Sequence, residues 1–189
     1  MSELVVVRHG ETEWSASGRH TSRTDLPLTE QGRERARRLR GVLAGGRYAL
    51  VLCSPLRRAR ETCELAGFGD VAVIDDDLHE WDYGEYEGLT TPQIREQRPD
   101  WNLWRDGCPG GESPAQIGER ADRVLSTLRG AGGDCLLFAH GHIIRVISAR
   151  WVAEPAAFGG RLALSTGAVS RLGFERETEV ITAWNRVVE

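Results

Sequence analysis

Four short, unbroken apolar runs constrain the fold of this chain more than any other feature. Leu4–Val7, Tyr48–Cys53 and the stretch from Asp134 to Ala139 read as strands buried on both faces, and Val71–Ile74 reads as a further strand. Helical patterns lie between them. Thr29 is placed to cap a helix with apolar positions Ala36, Leu39, Val42 and Leu43, which Gly45-Gly46 would stop. The arginines from Arg33 to Arg40 form its solvated face. Ser54-Pro55 predicts an N-cap and first helical residue, followed by an apolar stripe of Leu56, Ala59, Cys63 and Ala66.

Ser113 and Gln116 match a capping box, and Ile117, Ala121, Val124, Leu125 and Leu128 continue with a 3.6-residue period. A helix is expected from His142 towards Trp151. The stretch from Asp75 to Pro114 reads as loops with one short helix near Pro92–Gln97. Val169–Phe174 and Val180–Trp184, five residues apart, predict an antiparallel hairpin. Strands alternating with helices imply an α/β fold: a three-layer sandwich with a mostly parallel central sheet. The length, 189 residues, suits one domain spanning residues 1–189.

Composition narrows the chemistry. All 24 basic residues are Arg, so no lysine is available for a Schiff base or a P-loop. Any phosphate must be held by Arg, His and backbone N–H groups, and the planar guanidinium suits that task. The net charge of −4 offers no field for nucleic acid or an anionic membrane. Cys53, Cys63, Cys108 and Cys135 form no CxxC pair and no zinc-like spacing. The opening Met1-Ser2-Glu3-Leu4 lacks a signal-peptide pattern. The expectation is a protein of the reducing cytoplasm.

Three polar motifs occupy corresponding places. Arg8-His9-Gly10 follows the first strand, Arg57-Arg58 the second, and His140-Gly141-His142 the fourth. Parallel sheets bind ligands beyond the carboxyl ends of their strands, where helix N-termini add backbone donors. If these strands are neighbours, the motifs build an anion pocket of phosphoryl size. A metal site there lacks an evident acidic third ligand, and Arg8 and Arg58 would repel a divalent cation. Attack of a neutral imidazole on phosphorus, with arginines neutralising the oxygens, fits better.

These residues resemble the histidine phosphatase (phosphoglycerate mutase-like) superfamily over nearly the whole chain. The resemblance rests on Arg8-His9-Gly10-Glu11-Thr12, Asp25-Leu26-Pro27-Leu28-Thr29 with Gly32, Ser54-Pro55-Leu56-Arg57-Arg58-Ala59 with Thr62, Glu80 with Tyr83-Gly84 and Glu87-Gly88, Pro109-Gly110-Gly111-Glu112-Ser113, and His140-Gly141. Trp14-Ser15, the segment Trp81–Arg95 and His140-Gly141-His142 are similar to its acid phosphatases.

The resemblance implies a metal-independent phosphomonoesterase, needing no cofactor, that hydrolyses a small phosphorylated metabolite such as a sugar phosphate or phosphoglycerate. His9 would carry a phosphohistidine. Arg8, Arg58 and His140 would bind the phosphoryl oxygens. Glu80 would protonate the leaving group and then activate water; Asp82 and Glu85 are the rival acids. Gly10, Ser15, Thr21, Ser22, Tyr83 and Gly141 fall at substrate-binding positions. His142, Trp14, Trp81, Trp101 and Trp104 are candidate neighbours of the pocket, and His20 and His79 receive no role.

A phosphoglycerate mutase shares this chemistry, but its longer basic insertion is missing between Glu80 and His140. A non-catalytic phosphate sensor would not need the full set of His9, Arg8, Arg58, Glu80 and His140. Dimers are common in the family, so a homodimer is compatible with it.

Overall fold

The computed structural model describes residues 2–188. In chain order the elements are β1 (Leu4–Arg8), α1 (Glu13–Ser17), α2 (Glu30–Leu43), β2 (Leu50–Cys53), α3 (Arg57–Leu65), β3 (Val73–Ile74), α4 (Thr91–Gln97), α5 (Leu103–Asp106), α6 (Pro114–Arg129), β4 (Cys135–Ala139), α7 (Gly141–Trp151), β5 (Ala168–Glu175) and β6 (Thr178–Val187). The strands form one six-stranded sheet in the order β3-β2-β4-β1-β5-β6. The β3-β2-β4-β1 part is parallel; β5 and β6 add an antiparallel edge.

Burial on both faces explains the continuous apolar runs. Val5, Val7, Leu136 and Phe138 pack with Leu39 and Leu43 of α2 and Ala59 and Cys63 of α3. Leu4, Val6, Leu137 and Ala139 face the other way, onto Ile117, Val124 and Leu128 of α6 and Ile143, Ile144 and Ile147 of α7. The two clusters are the two filled spaces of a three-layer α/β sandwich. Fully burying one such aliphatic or aromatic side chain stabilises by roughly 1.5–3 kcal/mol.

The caps at Thr29 and Ser113 form as expected: Thr29 accepts from the Gly32 N–H, and Ser113 and Gln116 bond reciprocally. Four local expectations are corrected. Val42 is 45% exposed, because its neighbour Leu43 takes the sheet-facing position. The third strand shrinks to two exposed residues, Val73 and Ile74, since β3 is the sheet's edge. The residue capping α3 is Leu56, without a side-chain bond, so Ser54 and Pro55 precede the helix rather than start it. The hairpin turn contains only Arg176 and Glu177, because both strands extend towards each other.

Strand order sets the functional end. From β1 the chain passes β4 to reach β2; from β4 it passes β1 to reach β5. Connections leaving neighbouring strands in opposite directions open a crevice at their carboxyl ends. Arg8-His9, Ser54 and His140 all lie there.

Candidate active site

His9 follows β1, and its N–H is fixed to the Ala139 carbonyl by continuation of the β1–β4 ladder. The following turn runs against α2. A Cβ at Gly10 would lie 2.6 Å from the Gly32 carbonyl oxygen, and one at Gly32 would collide with the Glu11 backbone, so two glycines set this close approach. The Gly10 N–H donates to Thr62 Oγ1 at 3.0 Å, and is therefore spent on protein. Nδ1 of His9 lies 2.6 Å from the Gly10 carbonyl oxygen. A carbonyl only accepts, so Nδ1 carries the proton and Nε2 presents its lone pair. Burial, reinforced by Arg58 and Arg8, holds this imidazole well below its usual pKa and keeps it neutral.

Arg8 donates through Nη1 to the Leu164 carbonyl, while its buried Nε has no partner. A Cβ at Gly141 would meet the guanidinium at 3.3 Å, so the bare helix start lets Arg8 pass. Arg58 is fully buried. It donates to His140 Nδ1 at 3.2 Å and to the carbonyls of Thr24, Thr21 and Ser22 at 3.1 Å. A guanidinium has five N–H donors, so these four bonds leave one. His140 rests against His9 with ring centroids 5.1 Å apart. Its Nε2 lies 2.7 Å from the Ser54 hydroxyl, so both of its nitrogens are engaged.

Glu80 comes from the loop after β3. Its carboxylate accepts from the N–H groups of Trp81, His142 and Ile143 at 2.9–3.1 Å, capping the start of α7. Burial alone would raise its pKa, but these bonds and the charges of His142 and His140 hold it well below the usual carboxylate range. Arg120 braces the loop from α6. It pairs with Glu112 at 2.7 Å and donates to the carbonyls of Asp77, His79 and Glu80. The rivals lie elsewhere: Asp82 pairs with exposed Arg23 at 2.6 Å, and Glu85 faces solvent.

A cavity of about 160 Å³ is lined by Arg8, His9, Thr12, Ser15, Gly18, Arg19, His20, Thr21, Glu80, Tyr83 and His142, while Arg58 and His140 are fully buried outside its lining. Of the expected substrate contacts, Ser15, Thr21 and Tyr83 reach it. Ser22 does not: its hydroxyl donates to the Glu80 carbonyl and its N–H to Glu87, and it lines a neighbouring cavity. Trp81 and Trp104 pack around His142, Trp101 packs against His20, and Trp14 lies over Gly88.

Sequence reasoning missed α1, although Thr12 and Ser15 form a capping box. It also missed His20 and the brace made by Arg120 and Glu112. Among the described residues, no group of three or more His, Cys, Asp or Glu is arranged to hold a metal ion, and no helix is long and apolar enough to cross a membrane.

The sequence model of the histidine phosphatase superfamily (branch 1) matches residues 4–187. The chain is 48% identical over 177 residues to an acid phosphatase of Mycobacterium tuberculosis, covering 91% of this chain and 86% of that one. It is 38% identical over 179 residues to sedoheptulose 1,7-bisphosphatase of Saccharomyces cerevisiae, covering 78% and 66%. A solved structure of an open reading frame product of Mycobacterium tuberculosis superposes with a TM-score of 0.93 at 42% identity, covering 98% of both chains.

Proposed function

We propose, for a chain that belongs to the histidine phosphatase superfamily (branch 1) and is a phosphomonoesterase of its acid-phosphatase branch, that His9 is the histidine that takes the phosphoryl group. One observation carries this reading. The Nδ1 bond to the Gly10 carbonyl leaves Nε2 of a neutral imidazole as a free lone pair, flanked by Arg8 and Arg58.

Nε2 attacks phosphorus and the ester oxygen leaves from the opposite side. Arg8, with its unpartnered Nε, and the remaining N–H of Arg58 balance the charge on the phosphoryl oxygens. His140 orients Arg58 and, itself fixed by Ser54, keeps the wall behind His9 in place. Water then attacks the phosphohistidine with Glu80 as base. The three N–H groups that hold Glu80 as a carboxylate suit it to the base half of its expected role; the donor half calls for another group.

The cavity has room for a phosphoryl group and a short carbon skeleton, consistent with a small phosphorylated metabolite. The family's sugar-phosphate and phosphoglycerate esters are the substrate class we propose, hydrolysed in the cytoplasm by a chain acting as one domain over residues 1–189. Assembly as a homodimer and indifference to nucleic acid belong to the same reading. Incubation with an aryl phosphate and with 3-phosphoglycerate tests it. Phosphate release is expected, undiminished by a chelator. Isomerisation without release would replace hydrolysis by mutase chemistry, and phosphate binding without turnover would replace it by sensing.

A further inference from the structure

His142 is a half-buried titratable group for which the hydrolytic steps have no use. It stands in the first turn of α7, after His140-Gly141, with its ring set among Trp81, Trp104, Tyr83 and His20. Its Nδ1 lies 2.6 Å from Oη of Tyr83 and 3.6 Å from Oε2 of Glu80. Tyr83, Glu80 and His142 all line the cavity that holds His9. One imidazole nitrogen is therefore hydrogen-bonded to the Tyr83 hydroxyl and stands next to the Glu80 carboxylate, with all three groups on the cavity wall.

We propose that His142 is the proton store of this active site, delivering its proton to the leaving oxygen through the hydroxyl of Tyr83 and regaining one from Glu80. The inference rests on the phosphohistidine reading. In the first step the bond from phosphorus to the ester oxygen breaks as the bond to His9 Nε2 forms. The departing oxygen takes the Tyr83 hydroxyl proton, Tyr83 takes the Nδ1 proton of His142, and His142 becomes neutral. In the second step water attacks phosphorus, the bond to Nε2 breaks, and Glu80 accepts the water proton. That proton returns to His142, and the balance is one water consumed for one alcohol and one phosphate released.

The surroundings set when the store is charged. Burial opposes the imidazolium, the adjacent Glu80 favours it, and Arg145 on the same helix and Arg8 on β1 oppose it. His20 packs 6.3 Å away and is itself pushed down to about 4, so it stays neutral beside His142 except in strong acid. The uncharged Tyr83 hydroxyl is retained because burial raises its pKa well above the usual value. Burial is the largest of these influences, so the proton store fills only below the ordinary histidine range.

A proton donor matters only to a leaving group that needs one. The test measures kcat/KM from pH 4.5 to 8 for glycerol phosphate, an alkyl ester, and for 2,4-dinitrophenyl phosphate, whose leaving group departs as an anion. General acid assistance is worth on the order of 10²–10⁴-fold. His142→Asn is expected to lose about 100-fold on the alkyl ester, at least about tenfold more than on the aryl ester, and to lose the alkaline fall of the alkyl-ester profile. Tyr83→Phe keeps the ring and removes the relay oxygen, so the same split is expected if His142→Asn does not fold. Equal losses on the two esters in a folded variant, or none on either, would overturn the relay. If the wild-type chain releases phosphate from neither ester, the phosphatase reading fails; if it hydrolyses both and the split is absent, only the relay fails.

Discussion

The hydroxyl of Ser54 and Nε2 of His140 are 2.7 Å apart in a fully buried contact. Because Arg58 donates to the opposite nitrogen, Nε2 carries the proton and Ser54 accepts it. Ser54 is thus the anchor of a chain running through His140 to Arg58. Ser54→Ala leaves a buried N–H unpaired, at a cost of about 1–3 kcal/mol. We expect a matching drop in the urea midpoint and roughly a tenfold loss of kcat as Arg58 loosens. Unchanged kcat in a folded variant would remove Ser54 from the catalytic support.

His9→Ala should abolish turnover of every ester while leaving the circular dichroism spectrum intact, because the ladder bond from His9 to the Ala139 carbonyl is made by the backbone and survives the substitution. Acid-quenched wild-type enzyme should lose its bound phosphoryl group, whereas alkali-quenched enzyme should retain it on His9 in a peptide map. Label on another residue would reassign the nucleophile.

Stability should fall in mild acid. His9, His20, His140 and His142 all have native pKa values below the ordinary histidine value. Below about pH 6.5 the unfolded chain binds protons that the native chain refuses, so stability is full above that pH and declines beneath it. Each histidine contributes about 1.4 kcal/mol per pH unit until its native pKa is reached, which for His20 is about 4. The depressed Glu80 acts in the same direction: its contribution is present above the unfolded carboxylate pKa and lost as pH falls through the native one. Urea midpoints at pH 7.5 and 5.5 measure this; an equal or higher midpoint at 5.5 would contradict it.

Arg120→Ala strands the half-buried Glu112 carboxylate and frees three carbonyls of the loop that carries Glu80. Breaking a buried ion pair costs about 3–5 kcal/mol, so a large fall in thermal midpoint is expected. Glu80 should also lose its registration on α7, lowering kcat beyond the effect on stability. Arg123→Ala, which breaks an exposed and solvent-screened pair with Asp77, should leave the thermal midpoint almost unchanged.

What the sequence made legible was whatever depended on local pattern. The runs around Val6 and Leu137 reported burial on both faces, and Thr29 and Ser113 reported helix starts, because each signal is complete within a few residues. The motifs beside His9 and His140 were legible because strand ends bring them together. Ser54 misled because a serine before proline has the chemistry of an N-cap, yet its hydroxyl found a stronger partner 86 residues away. Val42 misled because helical phase shifts the buried stripe to Leu43. Arg120 was illegible because its partners, Asp77, His79 and Glu80, lie about 40 residues distant on a loop without periodicity.

Of the six strands, the one bearing Arg8 waits longest for a partner in the sheet. Its partners in the sheet are residues 135–139 and 169–172, so Leu4–Val7 has no edge to pair with until most of the chain has been made. Synthesis at about 5–20 residues per second leaves this hydrophobic ribbon waiting for roughly 6–26 s. Nascent chains that stop before residue 135 should therefore bind chaperones through Leu4–Val7 and display no phosphatase activity. His9 therefore cannot be set in its place before Ala139, whose carbonyl holds its N–H, has been made.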